Sequence, residues 1–179
     1  LIVIASLPII LCGYLIAQSS IINDLRSLKI IGWTTVLFGI LLYFSDKREN
    51  EKNLEINLDI KAALIIGFLH IFSLIPGVSR SGIAITAARF LKFDRVNAAR
   101  ISFLLSIPTL LAVSVFGIYN FYITDSFDLI KLNFSSIVLS FIFSYITMVA
   151  FLGYIKKASL DVFVLYRVVL GILILIFAY

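Results

Sequence analysis

Leu74-Ile75-Pro76-Gly77-Val78-Ser79-Arg80-Ser81-Gly82 is the stretch on which the reading of this chain turns. It lies between two apolar runs, Ala62 to Ile75 and Ile83 to Leu91. Neither run is long enough to cross a bilayer, which takes about 20 apolar residues. Between them stand a helix-breaking Pro-Gly, two hydroxyls and an arginine. Irregular backbone at membrane depth is tolerated only where protein buries it or where it lines a wet cavity. An arginine at that depth marks a functional site by default. The stretch therefore predicts the tip of a re-entrant helical hairpin, built to hold an anion.

The surrounding composition fits a bilayer. Hydrophobic residues make up 61% of the chain and charged residues 14%, against about 25% charged in an ordinary soluble domain. The fold class that follows is an all-α integral membrane protein, a helical bundle with one re-entrant hairpin. The formal charge of +5 sits mostly in loops, without the basic face interleaved with aromatics that marks nucleic-acid binding. The single cysteine, Cys12, lies in an apolar run and rules out disulfides within the chain and cysteine-based metal sites. The chain opens at Leu1 inside an apolar segment, with neither a basic lead-in nor a cleavage site, so Leu1 to Ala17 does not read as a signal peptide. It reads as part of a longer protein.

Five spans are expected beside the hairpin of residues 62–91: Leu1 to Ala17, Ile30 to Phe44, Ile101 to Tyr119 with a kink near Pro108, Phe134 to Ile155, and Val162 to Tyr179. Asp46 to Lys61 is a charged loop and Lys92 to Arg100 a basic connector. Charge tests the hairpin. If residues 62–91 enter and leave on one side, that side holds Lys47, Arg48, Lys52, Lys61, Lys92, Arg95, Arg100, Lys156 and Lys157, nine against Arg26, Lys29 and Lys131. A single crossing would give five against seven, a weaker positive-inside bias. The hairpin's open end is thus expected on the cytoplasmic side, with Tyr179 outside.

At the tip, the residue before proline leaves the helical region and glycine permits a reversal. Ser79 and Ser81 are both good caps for the helix that follows. Its first N–H groups and positive dipole end face into the loop, a ready anion site, and Arg80 adds a planar, permanently charged fork suited to phosphate. The competing reading, a solvated turn between two interfacial helices, is disfavoured by the charge count.

Pro76-Gly77-Val78-Ser79-Arg80-Ser81-Gly82 resembles the second signature of the undecaprenyl-diphosphatase (bacitracin-resistance) family. The likeness continues through Ala98-Ala99, Ser102 to Pro108 and Phe163 to Arg167. It implies hydrolysis of the diphosphate of a polyprenyl carrier lipid to the monophosphate, recycling it for cell-wall synthesis, in the bacterial inner membrane. It also implies an inverted-repeat architecture, with residues 1–45 as the last two spans of the first repeat and 61–179 as the second. Arg80 would hold phosphate while Ser79 and Ser81 donate hydrogen bonds; Pro76, Gly77, Val78, Gly82, His70 and Thr86 complete the expected substrate-binding set. A divalent cation, magnesium or calcium, is implied as well, with its ligands and the general base in a first hairpin that would precede Leu1. All ten acids of this chain, Asp24, Asp46, Glu49, Glu51, Glu55, Asp59, Asp94, Asp125, Asp128 and Asp161, lie in loops or at segment edges. No metal ligands are therefore expected here, and catalysis by the chain alone is not expected.

The sequence departs from the family pattern twice. Ala84 stands where a threonine is usual, and Thr86 two residues on would face another side of the helix. His70 replaces a common glutamine, either to serve the site or to be satisfied by a neighbour. Arg167 in the last span could pair within the bundle or reach a phosphate, and Arg89 and Arg95 read as interfacial snorkellers. Two functional classes use such a tip: the lipid-diphosphate hydrolase, and a polyprenyl-phosphate transporter, because paired broken helices are a transporter device. Oligomeric state, a homodimer among the options, is not legible.

Overall fold

The computed structural model describes residues 1–18, 25–48, 52–123 and 130–179, giving the backbone alone for 119–123 and 130–134. The described elements are α1 (Ile2–Ala17), α2 (Leu28–Asp46), a short α3 (Leu54–Asn57), α4 (Ile60–His70) with a 3-10 turn over Ile71–Leu74, α5 (Arg80–Phe90), α6 (Arg95–Ile123), α7 (Ile130–Ile155) and α8 (Asp161–Ala178). Among the described residues there is no strand, only one isolated bridge between Lys52 and Phe93. With 61% hydrophobic residues arranged in long helices, this is an all-α integral membrane protein.

Among the described residues, four helices have the length and hydropathy to cross a bilayer: Leu28–Asp46, Arg95–Ile118 within α6, Ser135–Ile155 within α7, and α8. Over the expected first span lies α1, a shorter apolar helix of 16 residues. Helix α6 runs unbroken through Pro108 and begins at Arg95, so the connector expected over 92–100 is only a few residues long. The hairpin is present. Its two legs, α4 and α5, have 11 residues each, about 16 Å at 1.5 Å per residue and half of the hydrocarbon thickness. The segment before α3 meets the residues that follow the hairpin: Lys52 N donates to Lys92 O at 3.1 Å and Asp94 N to Lys52 O at 3.3 Å.

Small residues let the hairpin pack closely. Ala62, Ala63, Ala84, Ala87, Ala88, Ala98 and Ala99 are all buried where α4, α5 and α6 meet. Helices α2 and α8 approach along a second seam, where a Cβ at Gly32 would lie 2.7 Å from the Leu175 side chain and one at Gly171 would lie 2.6 Å from Val36. This close-approach interface is typical of membrane helices. In contrast, the described window of α7 buries none of its residues, as a lipid-facing helix would.

The level where the hairpin opens is held by one carboxylate. Asp46 closes α2, has a fully buried side chain, and takes both Arg95 Nε and Nη2 at 2.8 Å. It also accepts from Leu160 N at 3.2 Å and lies 3.4 Å from Arg89 Nε. Arg89 itself is 1% exposed and donates to the carbonyls of Phe93, Asp46 and Arg48 at 2.7–2.8 Å. Arg89 and Arg95 are thus not snorkelling headgroup contacts. They neutralise a buried acid that the charge pattern alone had assigned to a loop. The turn after α7, the loop after α2 and the end of the hairpin therefore lie together, as the charge count expected.

Candidate functional site

The loop 75–79 owes its shape to groups outside the hairpin. Gly77 has φ +92°, and a Cβ there would fall 2.2 Å from Thr34 Oγ1 and 2.5 Å from Ile31 O, so both backbone and space demand glycine. Thr34 Oγ1 donates to Pro76 O at 2.6 Å and Thr35 Oγ1 to Gly77 O at 3.2 Å. From α8, Arg167 Nη2 donates to Gly77 O at 2.8 Å and Val78 O at 2.7 Å. Carbonyls exposed by the broken helix are thereby satisfied at membrane depth, the condition such a break must meet.

Helix α5 then starts as expected. Ser79 is its N-cap, with Oγ accepting from Gly82 N at 3.2 Å, but at φ 71° it sits in a region that non-glycine residues rarely adopt. The amides of Arg80 and Ser81 fall in the first turn, where no intrahelical carbonyl is available to them. A cavity of about 510 Å³ opens onto this turn, lined by Gly77, Ser79, Ser81, Gly82 and Arg167 at the tip and by apolar side chains of α2, α7 and α8 beyond. Successive helical residues point about 100° apart, and Arg80 turns away into a second cavity, about 250 Å³, with Tyr14, Leu74 and Thr109. Sequence reading grouped Ser79, Arg80 and Ser81 as one clamp. The structure gives the serines and the arginine different faces of the tip.

The other expected site residues divide likewise. Gly77 and Gly82 line the larger cavity, while Val78 is fully buried and, like Pro76, lines neither. Thr86 is buried and donates to Gly82 O of its own helix at 2.8 Å, so it does not replace the hydroxyl absent at Ala84, itself packed in the core. His70 is 1% exposed, and neither ring nitrogen has a hydrogen-bond partner among the described residues. It is not satisfied by a neighbour among the described residues, contrary to the more ordinary expectation. Neither Arg80 nor Arg167 has an ion-pair partner among the described residues. Sequence reading missed Thr34 and Thr35, whose only signal was an adjacent hydroxyl pair in an apolar span.

Among the described residues, no three His, Cys, Asp or Glu side chains converge on a point where a metal ion could bind. Five of the ten acids, Asp24, Glu49, Glu51, Asp125 and Asp128, lie outside the described residues. The donor set at the tip consists of cations, hydroxyls and amides and does not fit a divalent cation. It fits an anion.

Comparison with known proteins agrees with this chemistry. The family model described as bacitracin resistance protein BacA matches residues 1–173. An undecaprenyl-diphosphatase of Pelagibacter ubique is 48% identical over all of this chain and 70% of its own length. Those of Jannaschia sp. and Elusimicrobium minutum are 37% and 35% identical, with 100% and 99% of this chain and 67% of their lengths covered. The chain thus spans roughly two thirds of the length of these relatives. With nearly every residue inside the family match and the Pro-Gly-x-Ser-Arg-Ser tip in place, the chain belongs to the bacitracin resistance protein BacA family.

Proposed function

We propose that this chain forms the phosphate-binding part of a membrane enzyme that hydrolyses undecaprenyl diphosphate to the monophosphate and inorganic phosphate. The observation that carries the reading is the tip itself: a helix N-terminus at membrane depth, flanked by two guanidiniums without ion-pair partners among the described residues. The names of the relatives support hydrolysis over transport. In the reaction, water attacks the terminal phosphorus and the bond to the bridging oxygen breaks, so that the lipid leaves as its monophosphate. Negative charge shifts onto the bridging oxygen, and preorganised N–H donors and guanidinium groups stabilise it. Ser79 and Ser81 on one face of the tip and Arg80 on the other are assigned to holding the diphosphate and stabilising that charge. The general base and the divalent cation are assigned to residues other than these, because the tip offers no carboxylate. The bacterial inner membrane is the matching location.

The test is phosphate release from undecaprenyl diphosphate by the full-length protein in detergent, with and without magnesium or calcium. Release should require the cation. Arg80→Ala should lower kcat/KM by about a hundredfold or more, the usual effect of losing one such donor. Undiminished turnover by folded Arg80→Ala would overturn the assignment, and lipid binding without release would point back to transport.

A further inference from the structure

The serines face a cavity that Arg80 does not line, so an anion held there needs another cation. Arg167 is in place to supply it. Its side chain is 8% exposed and lines the same cavity as Ser79, Ser81 and Gly82. One arm of the guanidinium, Nη2, is committed to the carbonyls of Gly77 and Val78. The other arm, Nη1, is buried without a hydrogen-bond partner among the described residues. A Cβ at Gly82 would lie 2.6 Å from Nη1 and 3.1 Å from Ser79 Oγ, which shows how closely that arm approaches the first turn of α5. Buried donors are almost always paired, and a charged one left unpaired calls for an explanation. Here the free N–H groups, the hydroxyls of Ser79 and Ser81 and the positive end of α5 converge on one space.

We infer that this space is a phosphate subsite in which Arg167 contacts the ligand, separate from the group that Arg80 engages on the opposite face. The inference deepens the proposed function and takes its ligand class from the donors alone. A planar guanidinium beside two hydroxyls and helix N–H groups matches a tetrahedral oxyanion with several acceptor oxygens. Arg167 thus has a second role besides holding the loop: one arm fixes the tip and the other is reserved for substrate. The phosphate can arrive free or attached to a lipid, and the two ligands of the test separate these sources.

The experiment is titration calorimetry on the full-length protein in detergent, with inorganic pyrophosphate and with farnesyl diphosphate. Wild type is compared with Arg167→Lys and Gly82→Ala. Lysine keeps a charge within reach of the loop carbonyls but has no second nitrogen, so Kd should rise about tenfold or more while the ligand-free Tm stays within a few degrees. Gly82→Ala should weaken binding in the same direction by displacing Nη1, and it carries the test if the lysine variant does not fold. In Arg167→Ala, added guanidinium ion should restore part of the binding. Equal Kd in wild type and in folded Arg167→Lys and Gly82→Ala overturns the subsite. Arg167-dependent binding of farnesyl diphosphate alone assigns the subsite to lipid-linked phosphate, and of both ligands to either source. Arg167-dependent binding in a protein that releases no phosphate upholds the subsite and refutes the hydrolase. Hydrolysis with Kd unchanged in the variants does the reverse.

Discussion

Ser79 carries two opposed demands. Its φ of 71° favours a residue without a side chain, yet its Oγ caps Gly82 N. Ser79→Ala keeps the strained backbone and loses the cap, which should lower stability by about 1 kcal/mol. Ser79→Gly also loses the cap but relaxes the backbone, so its loss should be no more than a few tenths of a kcal/mol. Thermal unfolding of both variants in detergent checks the order, and alanine matching or exceeding glycine would contradict the strain. The cap was legible, because serine after Pro-Gly and before an apolar run is a local signal. The positive φ was not, since nothing in Val78-Ser79-Arg80 requires it, and the groups that hold the loop just before it, Thr34, Thr35 and Arg167, come from other helices. The same holds for His70, whose lack of a partner depends on what packs around it in three dimensions.

At the scale of elements, the helix ends are fastened by charge. Asp46, Arg89 and Arg95 each look interfacial in the sequence, because a polar residue at the end of an apolar run suggests nothing more. Only the packing of α2, α5, α6 and the turn before α8 shows that they share one buried site. Removing one member of such a set strands the others. Asp46→Ala should therefore cost about 3–5 kcal/mol. Lys47→Ala, which loses a 3.8 Å contact to half-exposed Asp161 and a cation–π contact with the Tyr43 ring, should cost no more than about 1 kcal/mol. Chemical denaturation of the two variants tests the contrast, and similar losses would show that the buried pair is not what holds these ends. The helices themselves, and the hairpin between them, were legible from lengths of apolar runs and from charge bias.

For the whole molecule, the arrangement predicts two sidedness classes. Lys52, Lys92 and the turn at Lys156-Lys157 gather around Asp46, while Lys29 Nζ lies 4.0 Å from the ring centroid of Tyr179 at the other end of the α2–α8 pair. With Cys12 replaced by serine, single cysteines at Lys52, Lys92 and Lys157 should react with an impermeant maleimide from one side of the membrane. Cysteines at Lys29 and Tyr179 should react from the other. A Lys52 and a Lys92 cysteine labelled from opposite sides would mean that residues 62–91 cross. The grip on the tip has a consequence for how the chain is made. Arg167 reaches Gly77 and Val78 across 90 and 89 positions of sequence. The ribosome therefore releases the hairpin long before the residue that finishes it. A nascent chain halted ahead of Arg167 carries the whole signature loop and still lacks half of its grip. The signature loop is complete only once Arg167 has been made.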